Sequence, residues 1–229
     1  MRRREPELRA AIVSAAKTLN ASGLSPGRSG NISVRWKSGM LITASGIPAK
    51  ELTPDADVVF VEADGSFADA GKLPSSEWHF HQAIYASRAD VEAVVHCHSR
   101  FSTALACARK PIPAFHYMVA KAGGEDIPLA PYDTYGTPEL AAAAASALAS
   151  RNACLLANHG QIAIGQTLEE ALELAEEVES LAAQYIAACA AGGAVLLSEG
   201  EMLKVADKFK TYGKAANPPK SVGTKSRSR

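Results

Sequence analysis

Cysteine is scarce in this chain, with four in 229 residues. Standing at 97, 107, 154 and 189, the cysteines form no CxxC pair. This excludes a disulfide framework of the secreted kind and points to a reducing, cytoplasmic home. Net charge is missing as well, since 24 basic residues face 24 acidic ones. No apolar run reaches the roughly 20 residues of a membrane span. The most apolar stretch, Leu181 to Leu197, is broken by Gln184 and Gly192-Gly193. The basic start is interrupted by Lys17 and Asn20 before it can form a signal-peptide core, so the whole chain is expected as the mature protein. Signatures of several enzyme classes are also absent. There is no GxxxxGK(S/T), no GxGxxG and no GxSxG, which argues against P-loop and dinucleotide binding and against a serine nucleophile elbow.

What remains is an ordinary globular composition, 47% hydrophobic and 21% charged. A chain of this length buries about 70 to 75% of the surface its unfolded form exposes, enough for a core without staples. The charge balance conceals an asymmetry. Residues 213–229 hold Lys214, Lys220, Lys225, Arg227 and Arg229 without an acid, leaving the body acidic by five. That tail is rich in Pro, Ser and Gly and is expected to be a disordered extension to one domain over residues 1–212. A short basic tail is a weak footprint for nucleic acid, and none is expected as a partner.

Apolar positions from Leu8 to Leu19 recur at helical spacing, which predicts a helix over 5–22. Strands are expected at 32–36, 40–43, 58–62, 93–98, 153–157 and 161–164. Further helices are expected at 75–87, 137–150, 168–190 and 199–212. Helices interleaved with short, partly hairpin-linked strands suggest a mixed sheet covered on both faces.

Chemistry concentrates in a few segments. His96-Cys97-His98 ends the apolar run Val91 to Val95. On a strand, residues two apart leave from one face, so the two imidazoles can share a metal ion while Cys97 points away into the core. His159 stands in a turn before Gly160 and is a third candidate ligand, though spacing alone cannot bring it to the pair. Ser75-Ser76-Glu77 adds two hydroxyls and a carboxylate at an expected helix N-terminus, a natural place for an anion. His81 falls on the same helix face as Glu77. It reads as a supporting or core residue, as do His79 and His116. The loops Ser29-Gly30-Asn31 and Thr43-Ala44-Ser45-Gly46 offer free N–H groups that could converge on a phosphate.

Taken in order, SGNISVR, LITASGIP, KLPSSEWHFH, AVVHCHS, IPAFHYMVAKAGG, APYDTYGT, LLANHG and KFKTYG resemble the class II aldolase/adducin family. Within it they are most similar to the members that cleave L-fuculose 1-phosphate. The resemblance runs from about residue 8 to 213. It implies an α/β fold, a three-layer α/β/α sandwich on a mixed, mostly antiparallel sheet. It implies a zinc ion on His96, His98, His159 and Glu77, with Glu77 also the acid/base. Gly30, Asn31, Ser45, Gly46, Ser75 and Ser76 would hold a substrate phosphate. Tyr117 would act in a neighbouring subunit's site, with Tyr135 and Tyr212 as substrate-side aromatics, in a homotetramer. The implied reaction is reversible cleavage of a ketose 1-phosphate to dihydroxyacetone phosphate and a small aldehyde such as L-lactaldehyde. Members acting on 5-deoxyribulose or 5-methylthioribulose 1-phosphate differ only at the aldehyde end. The family's 4-epimerases carry aspartate where Glu77 stands, and its non-enzymatic adducin-like modules lack the metal ligands.

Overall fold

The structure is a computed structural model that describes residues 4–68 and 71–210. The basic tail, and Tyr212 with it, lie outside the described residues. Seven strands form one sheet: β1 (Asn31–Trp36), β2 (Gly39–Thr43), β3 (Val58–Val61), β4 (Ala93–Cys97), β5 (Leu129–Ala130), β6 (Ala153–Leu156) and β7 (Gly160–Gly165). Their order across the sheet is β3-β2-β1-β4-β7-β6-β5. Every pairing is antiparallel except β5 with β6.

Strand alternation divides the apolar residues between two cores. Ile32, Val34, Ala93, Val95 and Cys97 face one side, where they pack against helices α1 (Glu5–Ala21), α3 (Arg100–Cys107) and α5 (Leu168–Ala190). Met40, Ile42, Val94, Ile162 and Ile164 face the other, covered by α2 (Trp78–Ser87) and α4 (Pro138–Ala147). A last helix, α6 (Glu199–Phe209), packs on the 3-10 turn Tyr117–Ala122. The result is the expected three-layer α/β/α sandwich. No described helix is long and apolar enough to cross a membrane.

Two expectations need correction. The helix expected from Ser75 begins at Trp78, with Glu77 as its N-cap. Ser75 N–H donates to the Thr43 carbonyl and Ser45 N–H to that of Leu73, so this segment is held against the end of β2 and cannot yet wind. Arg100–Cys107, where no element was expected, is helical. Its N-terminal N–H groups, those of Phe101 and Ser102, are accepted at 2.8 and 2.9 Å by the Glu179 carboxylate of α5. That cap comes from a distant helix and leaves no local signal.

Candidate metal centre and active site

β4 ends in the middle of the sheet, its His96 paired with Asn31 of β1 and Ile162 of β7. His96 and His98 leave from the α2 side, and Cys97 lies in the opposite core. Burial pushes the Cys97 thiol up to about 12, so it remains a protonated packing group. The turn from β6 to β7 brings in His159 through Asn158, whose φ of 53° is left-handed. Gly160 lets this turn close on β4. A Cβ there would stand 2.5 Å from the Cys97 carbonyl oxygen and 2.8 Å from the His98 ring. Glu77, capping α2, completes the group from above.

The four side chains converge. His96 Nε2 lies 3.0 Å from His98 Nε2 and 3.3 Å from Glu77 Oε2, and His159 Nε2 lies 2.9 Å from Glu77 Oε1. All four potential ligand atoms fall within 4.8 Å of one another. Nδ1 of His96 sits 2.8 Å from the Gln161 carbonyl, to which it must donate, so Nε2 presents its lone pair inward. Glu77 Oε1 is buried without a hydrogen-bond partner despite the nearby imidazole. Burial, with His96 and His159 adding to it and Glu77 opposing, drives the His98 pKa down to about 3, leaving a neutral imidazole. Burial works against ionising Glu77, but His96 and His159 outweigh it and hold the carboxyl well below its usual range. Three imidazole nitrogens and a carboxylate, one of whose oxygens is otherwise orphaned, form a donor set suited to a divalent metal ion.

Glu77, His98 and His159 of this cluster form one wall of a pocket of about 320 Å³. Gly30, Asn31, Ser45, Gly46, Ser75 and Ser76 all line it, as does Tyr135. Gly30 has a φ of 83°, and a Cβ there would press to 2.8 Å from the His96 carbonyl oxygen, so this loop reaches the cluster only as glycine. Arg28, Tyr132, Asp133 and Asn158 line the pocket too, and sequence reasoning missed them. Arg28 donates from Nη1 to the Gly46 carbonyl at 3.2 Å, tying the two glycine loops together. Its only prior signal was a basic residue in a glycine-rich loop.

Other sequence-singled residues lie elsewhere. Tyr117 is half exposed, stacks towards Phe209 and is outside the pocket lining. His116 caps the 3-10 turn, accepting from Met118 N–H, and His79 stacks on Trp78. His81 is fully buried behind the site, between Asn31 and Ser33.

Comparison with known proteins gives one answer. The family model "Class II Aldolase and Adducin N-terminal domain" matches residues 10–186. A 5-methylthioribulose-1-phosphate/5-deoxyribulose-1-phosphate aldolase of Rhodospirillum rubrum is 50% identical over 212 residues, 93% of this chain and 95% of that one. An L-fuculose phosphate aldolase of Escherichia coli is 49% identical over 203 residues, 88% and 94% of the two chains. A solved L-fuculose 1-phosphate aldolase superposes with a TM-score of 0.86 at 42% identity, covering 89% of this chain and 96% of its own. Sequence, fold and donor set therefore agree that the chain belongs to the class II aldolase and adducin family, as one of its aldolases.

Proposed function

We propose that the protein is a zinc-dependent aldolase that cleaves a ketose 1-phosphate between C3 and C4, giving dihydroxyacetone phosphate and a small aldehyde. The observation that carries the reading is the meeting of Glu77 with three histidines in a pocket whose opposite wall is made of glycine–serine loops and one arginine. His96, His98 and His159 would hold the zinc, with Glu77 as a further ligand only while no substrate is bound, and the ion would supply Lewis-acid stabilisation of the charge that develops on the substrate oxygens.

The chain's own groups do the rest. Ser45, Ser75, Ser76 and the loop N–H groups of Gly30 and Gly46 bind the phosphate, with Arg28 offsetting its charge. Binding energy gathered there places the C3–C4 bond against the metal centre. Bond cleavage leaves electrons on C3, delocalised into the C2 carbonyl. Glu77 delivers a proton to C3 in the cleavage direction and removes it in condensation. Tyr117 of a neighbouring copy, in a homotetramer, handles the proton of the C4 oxygen. Its half exposure and its absence from the lining of its own chain's pocket suit that role.

Tyr132, Asp133 and Tyr135, which line the same pocket, are the groups we assign to the aldehyde end. L-Lactaldehyde, from L-fuculose 1-phosphate, fits this setting. The Rhodospirillum rubrum relative favours a second substrate, 5-deoxyribulose or 5-methylthioribulose 1-phosphate, with equal weight. Assaying these ketose 1-phosphates with and without a zinc chelator tests the reading. Dihydroxyacetone phosphate should appear from at least one of them and disappear with the chelator. Chelator-insensitive turnover would overturn the metal role, and the aldehyde formed fastest names the substrate.

A further inference from the structure

Behind Glu77 lies a buried polar column that the proposed chemistry leaves unused. β1 contributes Asn31 and Ser33, two residues apart and so on one face, while α2 contributes His81 and Tyr85, with Glu77 one turn earlier. Four residues of helix rise about 6 Å and two residues of strand about 6.5 Å, so the two sets mesh rung for rung. None of the five side chains belongs to a residue more than 8% exposed.

Asn31 Nδ2 donates to Glu77 Oε2 at 2.9 Å, and His81 Nε2 meets Asn31 Oδ1 at 2.5 Å. Ser33 Oγ lies 2.7 Å from His81 Nδ1 and 2.8 Å from the Tyr85 hydroxyl. The direction of the whole column follows from its end. An ionised carboxylate only accepts, so Asn31 must turn its amide nitrogen towards Glu77 and leave its oxygen for His81. Nε2 of His81 then carries the hydrogen and Nδ1 the lone pair, Ser33 donates to Nδ1, and Tyr85 donates to Ser33. Every donor points towards Glu77. Reversing any member would leave like groups facing one another in a dry interior. Burial, reinforced by His96 and opposed by Glu77, takes the His81 pKa down to about 3, which keeps the neutral ring this arrangement needs.

We propose that His81, held as its Nε2–H tautomer by Ser33 and Tyr85, is a positioning residue that locks the Asn31 amide and thereby fixes which oxygen of Glu77 faces the pocket. With Oε2 held by Asn31, Oε1 is the oxygen left without a partner. This rests on the reading of Glu77 as the acid/base.

The test uses the full-length, zinc-loaded enzyme beside Glu77→Gln, His81→Phe, His81→Gln and Ser33→Ala, each checked by thermal melting and zinc content. His81→Phe is expected to lower kcat about 10- to 100-fold, the scale for groups that orient metal ligands. KM should move less than about threefold, because of the phosphate-binding candidates only Asn31 is disturbed, while Ser45, Ser75, Ser76 and the glycine loops keep their places. His81→Gln, which returns an N–H near the position of Nε2, should recover most of kcat; a merely structural histidine would not give this split and rescue. A folded, zinc-loaded His81→Phe with parental kcat beside an inactive Glu77→Gln overturns the proposal alone. An active Glu77→Gln overturns the reading of Glu77 and takes the proposal with it. If His81→Phe fails to fold, Ser33→Ala decides, a fall in kcat without a rise in KM supporting the proposal and a parental kcat overturning it.

Discussion

Glu77 Oε1 stands 2.9 Å from His159 Nε2, yet the two atoms lack the alignment of a hydrogen bond. A carboxylate oxygen and an imidazole nitrogen brought this close in a nearly dry pocket without an aligned hydrogen bond are reconciled by a cation between them. His159→Ala and His98→Ala should therefore lose zinc on dialysis under conditions in which the parent chain retains about one ion per subunit, as metal analysis would show. Full zinc retention in both variants would refute the ligand set.

Removing the carboxylate while keeping the metal isolates the acid/base role proposed for Glu77. Glu77→Gln, reloaded with zinc, should lose exchange of the C3 hydrogen of dihydroxyacetone phosphate by about 10²- to 10⁴-fold, the usual span of general acid–base contributions. Proton NMR in heavy water follows this directly. Persistent exchange would assign the proton transfer to another group.

Arg28 is exposed and bridges two loops, so its loss should act on binding rather than on chemistry. Arg28→Ala is expected to raise KM for a ketose 1-phosphate about fivefold, roughly 1 kcal/mol, with kcat nearly unchanged. Arg28→Lys should recover part of the loss. An unchanged KM would remove Arg28 from the phosphate site.

Gly160→Ala tests the closure of the hairpin on β4. The added methyl would meet the Cys97 carbonyl at 2.5 Å, and backbone cannot yield as a flexible side chain would. A loss of about 1–3 kcal/mol, visible as a lowered Tm, is expected. Gly200→Ala, at a glycine without a positive φ where an added Cβ meets no atom within 4 Å, serves as the control for a methyl without a clash.

The two histidines with depressed pKa values set an acid limit on the metal-free protein. His81 and His98 fall from 6.5 to about 3, chiefly through burial. Between those values the unfolded chain takes up protons that the folded chain refuses, so stability declines as pH is lowered through this window. The lowered pKa of Glu77 acts in the same sense below its ordinary value of 4.5. Melting curves of the chelated protein from pH 7 to 4 should show this slope, and His81→Gln should flatten it. An unaltered slope would mean that His81 does not contribute.

The sequence made some of this legible and withheld the rest for physical reasons. His96 and His98 could be placed on one face because strand period is local. Their meeting with His159 could not be read from spacing, because it depends on β7 pairing beside β4 with Cys97 opposite Gln161. α3 escaped notice because Glu179 caps it from another helix. β5 has only two residues, too few to show a period, and exists by virtue of its partner β6. The motif resemblance supplied what pattern could not, the convergence of distant loops on one pocket. It did not disclose Arg28 or the column behind Glu77.

The meshing of α2 with β1 also bears on how this sequence can change length over evolutionary time. One residue inserted between Glu77 and Tyr85 would turn everything beyond it by about 100°, and one inserted between Asn31 and Ser33 would send them to opposite faces. Gly192 and Gly193, where an added side chain would meet no atom within 4 Å, carry no such restriction. Insertions and deletions among descendants of this chain should therefore collect at such turns and avoid the two meshed segments, whose lengths are inherited together.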